Sequence, residues 1–257
     1  MKSLIISLVL LSVFSSCAHQ SKNQTVSYFE GKTELEGRIY LPATSTIKKS
    51  PAILIAHSWM GINQKAIDVA KRYADKGYVA FLVDIYGKGV TVKDVSEASK
   101  IATFYRSDRP LMRRRINSAL EYIRQHPQVD ADQIAAIGFC FGGGVVLELA
   151  RSGADLKQVI SFHGNLDTPN PKDAKNIKAG VLVLHGDIDP YVPDSQITGF
   201  KKEMNDAGVK YSFVGFGGAV HSFTNPEAGS DLSQGAAYDE AVSKQAFDIA
   251  DLYLPRL

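Results

Sequence analysis

The sequence predicts a single-domain α/β fold, with a mostly parallel, twisted sheet and helices on both of its faces. Short apolar runs bounded by turn residues recur along the chain, which is typical of strands that are buried on both faces. Segments with helical spacing of apolar residues separate these runs, so the strands and helices form right-handed βαβ units. No linker-like stretch divides this pattern within the 257 residues, which predicts one domain rather than two.

The predicted elements begin with two strands between Val26 and Pro42, which turn near Gly31 or Lys32 because polar and apolar residues alternate there. Continuous apolar runs then predict buried strands at 51–58, 78–84, 134–139, 158–164 and 180–186, followed by a strand at 210–216. Helical spacing predicts helices at 64–76, 93–105, 110–126, 141–152, 194–207 and near 234–254.

Polar side chains converge at one edge of the predicted sheet. Segment 57–63 follows the first buried strand, Cys140 follows the third, Asp187 and Asp189 follow the fifth, and His221 follows the last strand. Because ligand sites in such sheets form at the carboxyl ends of the strands, these segments predict one functional site. A formal net charge of +2 gives no reason to expect a nucleic-acid partner.

Cys140 lies in the stretch GFCFGG, residues 138–143, between a predicted strand and a predicted helix. Hydrolases usually hold a serine nucleophile in this frame, as G-x-S-x-G on a strained turn. The helix that begins near Phe141 points its N-terminus at Cys140, and its dipole stabilises a thiolate. The frame therefore predicts Cys140 as a nucleophile, the alternative being a structural cysteine in a glycine-rich turn.

A cysteine nucleophile needs a proton shuttle and an acid that orients the shuttle. Among six histidines, His221 is favoured because it follows the nucleophile and the acid in chain order, although His57 also borders the proposed cleft. His163 and His185 each precede a glycine at a strand end and are interpreted as capping or packing residues.

The stretch HGDIDPYVP offers two aspartates as the orienting acid. Asp189 is favoured by its position before Pro190, and Asp187 is interpreted as a turn or cap residue. Asp84, at the same sheet edge, is interpreted as a structural residue that holds neighbouring loops. The backbone N–H groups of Phe141 and Trp59 are the predicted oxyanion donors.

Five stretches together resemble the dienelactone hydrolase family of the α/β-hydrolase superfamily: HSWMGIN, YVAFLVDIYGKG, GFCFGG, HGDIDPYVP and GGAVHSF. The similarity covers about residues 26–257. It implies an α/β-hydrolase fold and a Cys140–His221–Asp189 triad that hydrolyses a lactone or an ester through a thioester on Cys140. It implies no metal and no organic cofactor.

Two positions depart from the pattern of members that open dienelactones. Ser58 stands where those members usually have a glutamate, and Asn225 stands where they tend to have an arginine that binds the substrate carboxylate. Ser58, Asn225 and Tyr86 are predicted to line the substrate pocket, with packing as the alternative for Tyr86. Arg106 or Arg109 is a candidate to replace the missing arginine.

The N-terminus resembles a bacterial lipoprotein signal. Lys2 precedes an uncharged apolar run from Leu4 to Phe14, which is too short to span a bilayer, and Ser15-Ser16-Cys17 follows it. We expect residues 1–16 to be removed, Cys17 to carry lipid and residues 17–25 to form a polar tether. An ordinary secretory peptide is the alternative.

These features predict an exported cell-envelope lipoprotein on the periplasmic side of a membrane. The residue directly after Cys17 is Ala18 and not an aspartate that would signal retention in the inner membrane, so the outer membrane is favoured. The leading hypothesis is a hydrolase of small lactones or carboxylic esters. The alternative is a lipid-anchored binding protein on a catalytically inactive α/β-hydrolase scaffold.

Overall fold

The computed structural model describes residues 23–43 and 49–255. Its strands are β1 (Asn23–Glu30), β2 (Thr33–Tyr40), β3 (Ser50–Ala56), β4 (Val79–Val83), β5 (Val129–Phe139), β6 (Gln158–Phe162), β7 (Gly180–Gly186) and β8 (Tyr211–Phe216). Its α-helices are α1 (Gln64–Asp75), α2 (Val95–Ser107), α3 (Arg109–Arg124), α4 (Phe141–Arg151), α5 (Asp194–Asp206) and α6 (Glu240–Tyr253). Short 3₁₀ helices lie at Pro171–Asn176, Pro226–Ala228 and Leu232–Gln234.

The strands of the described residues form one sheet in the order β1-β2-β4-β3-β5-β6-β7-β8. β1 pairs antiparallel with β2, and β2 pairs antiparallel with β4. Every other neighbouring pair is parallel. The predicted single-domain α/β fold with a mostly parallel sheet is therefore confirmed.

A hydrophobic core lies on each face of the sheet. In β3, Leu54 packs in the core that α2 to α5 cover, whereas Ile53 and Ile55 pack in the core that α1 and α6 cover. Alternate residues of a strand point to opposite faces, so a strand buried on both sides needs apolar residues at every position. Each fully buried aliphatic side chain contributes roughly 1.5–3 kcal/mol to folding.

Three elements begin more than two residues away from the predicted position. β5 begins at Val129 rather than at residue 134, because its first residues, VDADQ, are mostly polar and do not form an apolar run. β1 begins at Asn23, within the predicted tether, because an edge strand can pair through its backbone without an apolar run. α6 begins at Glu240 rather than near residue 234, with Asp239 as its N-cap accepting from the Val242 N–H. The residues just before α6 instead bind the backbone of His221, since the Ala237 N–H donates to the His221 carbonyl.

The predicted signal of residues 1–16 and the lipidation site at Cys17 lie outside the described residues, as does the tether up to residue 22. Within 23–43 and 49–255, the helices are all too short or too polar to cross a bilayer.

Candidate active site

Cys140 occupies the sharp turn between β5 and α4. Its φ of 55° and ψ of −118° place it in a region that non-glycine residues rarely adopt. The turn is tight because Gly138 and Gly142 let the strand and the helix approach closely. A Cβ on Gly138 would collide with the Gly142 carbonyl, and one on Gly142 would collide with the Ala56 carbonyl. The side chain of Cys140 remains partly exposed at the N-terminus of α4.

His221 and Asp189 form a buried pair beside this turn. His221 Nδ1 lies 2.7 Å from Asp189 Oδ2, and Asp189 Oδ1 accepts from the Tyr191 N–H at 2.8 Å. Asp187 is exposed, and its backbone N–H donates to the Phe216 carbonyl. Of the two candidate acids, the structure therefore brings Asp189 to His221 and leaves Asp187 on the surface.

The Cys140 thiol and the His221 ring form a hydrogen-bonded pair that favours charge separation. Burial raises the pKa of Cys140, but the charge and hydrogen bond of His221 outweigh it, so the pKa falls below its ordinary value. Burial lowers the pKa of His221, but Cys140 and the hydrogen bond to Asp189 outweigh that effect and raise the pKa. Each group of the pair therefore favours the charged form of the other, which shifts the equilibrium toward a thiolate and an imidazolium.

Two backbone N–H groups converge on the Cys140 sulfur. Those of Phe141 and Trp59 both hydrogen-bond it and lower its pKa. These are the donors that the sequence predicted for the oxyanion, and they come from the start of α4 and from the loop after β3. When the sulfur attacks a carbonyl, negative charge develops on the carbonyl oxygen, and N–H donors fixed beside the sulfur are placed to stabilise that oxygen.

Cys140 opens into a small cavity of about 70 Å³. Ser58 and Asn225 line this cavity together with Cys140. Tyr86 instead lines a neighbouring cavity of about 470 Å³. Its hydroxyl donates to the Trp59 carbonyl at 2.9 Å, so Tyr86 supports the loop that carries an N–H donor.

The other acidic and histidine candidates have structural contacts. Asp84 accepts from the N–H groups of Glu36, Tyr86 and Gly87, which ties β2 to the loop after β4 as expected. His57 is engaged through both ring nitrogens, with Nδ1 at 2.6 Å from the Ser58 carbonyl and Nε2 accepting from the Ile85 N–H. These contacts leave His57 no free nitrogen for proton transfer.

The two arginines considered as replacements bind elsewhere. Arg106 donates to Asn165 Oδ1, and Arg109 pairs with Asp167, and neither arginine lines the cavity at Cys140. Within the described ranges, no group of three or more His, Cys, Asp and Glu side chains has the arrangement of a metal site.

Lys65 is a cavity residue that the sequence did not indicate. It lies in the first turn of α1, lines the cavity that holds Cys140, and donates from Nζ to the Thr224 carbonyl. Burial lowers the pKa of Lys65 to about 8, although the carboxylates of Asp68 and Glu227 oppose the shift. The cavity therefore has a cation even though Asn225 replaces the expected arginine.

His163 is the second residue that sequence reasoning missed. It lines the same cavity, and its ring contacts both Cys140 and Thr224. Its position at the carboxyl end of a buried strand is the signal that singled out Cys140, Asp189 and His221, and the same signal applies to His163.

Comparisons with known proteins agree with this geometry. The model of the dienelactone hydrolase family matches residues 35–251. A Bradyrhizobium protein named as a probable 2-oxo-3-(5-oxofuran-2-ylidene)propanoate lactonase is 31% identical, over 74% of this chain and 81% of that protein. An Aquifex aeolicus protein named as a putative carboxymethylenebutenolidase is 24% identical, over 88% of this chain and 95% of that protein.

Solved structures give the same result. The structure of m3DLH is 34% identical and superposes with a TM-score of 0.86, covering 91% of this chain and 98% of that one. A dienelactone hydrolase-like promiscuous phosphotriesterase from metagenomic libraries is 35% identical with a TM-score of 0.85, and the coverage is again 91% and 98%. The chain therefore belongs to the dienelactone hydrolase family and is a hydrolase that acts on ester bonds.

Proposed function

We propose that this enzyme hydrolyses small lactones or carboxylic esters through a Cys140–His221–Asp189 triad and a thioester intermediate. The observation that carries the proposal is the continuous contact from Asp189 through His221 to the Cys140 sulfur. This contact joins a nucleophile, a proton shuttle and an orienting acid, which is the set of groups that nucleophilic catalysis requires.

In the acylation half-reaction, the Cys140 thiolate attacks the substrate carbonyl carbon. The carbonyl oxygen becomes an oxyanion, which the N–H groups of Phe141 and Trp59 stabilise. As the tetrahedral intermediate collapses, the bond to the ester oxygen breaks and His221 gives its proton to the leaving alkoxide. A lactone yields a ring-opened hydroxy acyl group on sulfur, and an ester yields a free alcohol.

In the deacylation half-reaction, neutral His221 removes a proton from water as the water attacks the thioester carbonyl. Collapse of the second tetrahedral intermediate releases the carboxylic acid and restores the Cys140 thiolate beside a protonated His221. Asp189, hydrogen-bonded to His221 Nδ1, orients the ring and stabilises the imidazolium in both half-reactions.

A panel of neutral and anionic lactones and esters tests this function. We expect turnover of at least one class by the wild-type protein and loss of that turnover in Cys140→Ala. The binding-protein alternative rests on Ser58 and Asn225 alone, and the contacts of Cys140 and His221 argue against it. Binding of panel compounds without turnover would contradict the proposed function and favour that alternative.

We further propose that Lys65 supplies the cation that favours an anionic acyl group. Lys65→Met is expected to lower kcat/KM for mono-4-nitrophenyl succinate relative to 4-nitrophenyl acetate about tenfold or more, because a hydrogen bond to a charged group contributes roughly 1.5–3 kcal/mol. In the wild-type enzyme this ratio should fall as the pH rises through about 8, where Lys65 loses its proton. Asp68, Glu227 and His163 also face Lys65, and a change in their charge would affect the turnover of both esters. The ratio of the two kcat/KM values cancels effects that are common to both esters.

Lys71→Met is the matched control, because Lys71 is exposed on the same helix. The ratio of the two esters should be the same in Lys71→Met as in the wild-type enzyme. An unchanged ratio in Lys65→Met would contradict the assignment of Lys65 while leaving the triad chemistry intact.

We also propose export and lipid anchoring through Cys17. Changing Cys17 to serine should place the protein in the soluble periplasmic fraction or leave an unprocessed precursor. Stable anchoring needs at least two lipid signals, since one acyl chain gives only marginal membrane binding. Cys140→Ser is the matched control, since it removes a thiol but leaves the signal intact. Unchanged processing and unchanged detergent partitioning of Cys17→Ser would contradict the proposal.

A further inference from the structure

His163 is a buried histidine to which the proposed mechanism gives no task. It follows β6 directly, and only 2% of it is exposed. Its φ of 39° lies in the region that favours glycine. Backbone outliers of this kind persist only where the surrounding structure holds them, and they concentrate at functional sites.

The ring of His163 contacts the nucleophile on one side and Thr224 on the other. The Cys140 N–H, which also donates to the Phe162 carbonyl, donates to His163 Nδ1 at 3.2 Å. His163 Nε2 lies 2.9 Å from Thr224 Oγ1. Because Nδ1 accepts, Nε2 carries the proton and donates to Thr224, which fixes the tautomer.

The surroundings of His163 keep its ring neutral. Burial lowers the pKa well below its ordinary value, and the positive charges of His221 and Lys65 act in the same direction. If the His163 ring were protonated, Nδ1 would carry a hydrogen and could no longer accept from the Cys140 N–H. Neutral His163 therefore keeps accepting from Cys140 while His221, whose ring lies 5.2 Å away, gains and loses its proton.

We propose that His163 is a positioning residue that holds the Cys140 backbone in its strained turn and so keeps the sulfur aligned with His221 and the two N–H donors. This inference rests on the proposed function, because it assigns His163 a task only if Cys140 is the nucleophile. His163 does not exchange protons with the substrate, since both ring nitrogens are already hydrogen-bonded. Its effect is therefore exerted through Cys140.

Two substitutions separate positioning from simple packing. His163→Leu removes the acceptor, and we expect kcat to fall about tenfold or more while KM changes about twofold at most. The pH midpoint for alkylation of Cys140 by iodoacetamide should also rise, because the thiolate loses its aligned donors. His163→Asn places an acceptor oxygen at the δ1 position. It should therefore recover most of the lost kcat and return the pH midpoint of alkylation most of the way to its wild-type value.

His126→Leu is the matched control, because His126 Nδ1 also accepts from a backbone N–H, that of Gln128. This contact lies just before β5 begins, at the opposite end of the strand from Cys140. This variant should keep the wild-type kcat and alkylation profile. Equal values for His163→Leu and His163→Asn, or wild-type values for His163→Leu, would overturn the inference.

If His163→Leu does not fold, Thr224→Val provides the second test, because it removes the hydroxyl that orients the ring. It should lower kcat in the same direction by a smaller factor, and an unchanged kcat overturns the inference. Cys140→Ala in the same assay separates the two proposals. An inactive Cys140→Ala with a fully active His163→Leu refutes only the role of His163, whereas an active Cys140→Ala refutes the proposed function as well.

Discussion

Cys140→Ala is expected to lower kcat/KM roughly 10⁴-fold to 10⁶-fold, the order of loss seen when a member of a catalytic triad is removed. The substitution deletes the atom that attacks the carbonyl and on which His221, Phe141 and Trp59 converge. The free energy of unfolding should change by about 1 kcal/mol or less, since one partly exposed sulfur is removed. Steady-state kinetics and urea unfolding of the same preparation give both quantities.

Cys140→Ser distinguishes a working thiol from a replaced serine. A hydroxyl gains little from the helix dipole and the imidazolium, because its pKa lies far above that of a thiol. We expect this variant to retain a small residue of activity. A serine variant as active as the wild-type enzyme would contradict the thiolate mechanism, and the alanine variant provides the background rate for that comparison.

His221→Ala is expected to lower kcat/KM by roughly 10³-fold or more, because it removes proton transfer from both half-reactions. It also removes the charge that holds the pKa of Cys140 below its ordinary value. The thiolate should then form only at a higher pH than it does in the wild-type enzyme. Alkylation of Cys140 by iodoacetamide near pH 6 should become slower in His221→Ala and recover as the pH rises.

Asp189→Asn should cost less than His221→Ala, since it preserves the imidazole and removes only the charge that orients it. His126→Ala is the control, because it removes a histidine away from the site. If the pH profile of alkylation were identical in His221→Ala and the wild-type enzyme, His221 would not be the partner of the Cys140 thiol.

The sheet could be predicted because strands buried on both faces leave a clear pattern in the sequence. β3, β6 and β7 are largely apolar runs, and their predicted ends lie within two residues of those in the structure. β1 left a weaker signal because it is an edge strand with one partner, β2. The start of α6 was placed too early because residues 235–237 look helical locally but bind the His221 backbone.

The reacting groups could be predicted because each one follows a strand at the same edge. The roles of the supporting groups could not be predicted, even for His163, which also follows a strand at this edge, because these roles depend on contacts between segments far apart in the chain. His163 accepts from Cys140 across 23 positions, and Lys65 reaches Thr224 across 159 positions. Tyr86 lines a cavity beside the site, and nothing in the sequence indicated that its hydroxyl also supports the backbone of Trp59.

The role of the Cys140 sulfur is tested by comparing residual activity with the fraction of Cys140 alkylated by iodoacetamide, measured by peptide mass spectrometry on the same samples. We expect esterase activity to fall in direct proportion to modification of Cys140, to reach zero at one group per site, and to be protected by substrate. Peptide mapping separates this event from any modification of Cys17. Activity that persists when Cys140 is fully alkylated would contradict the central claim that its sulfur attacks the substrate.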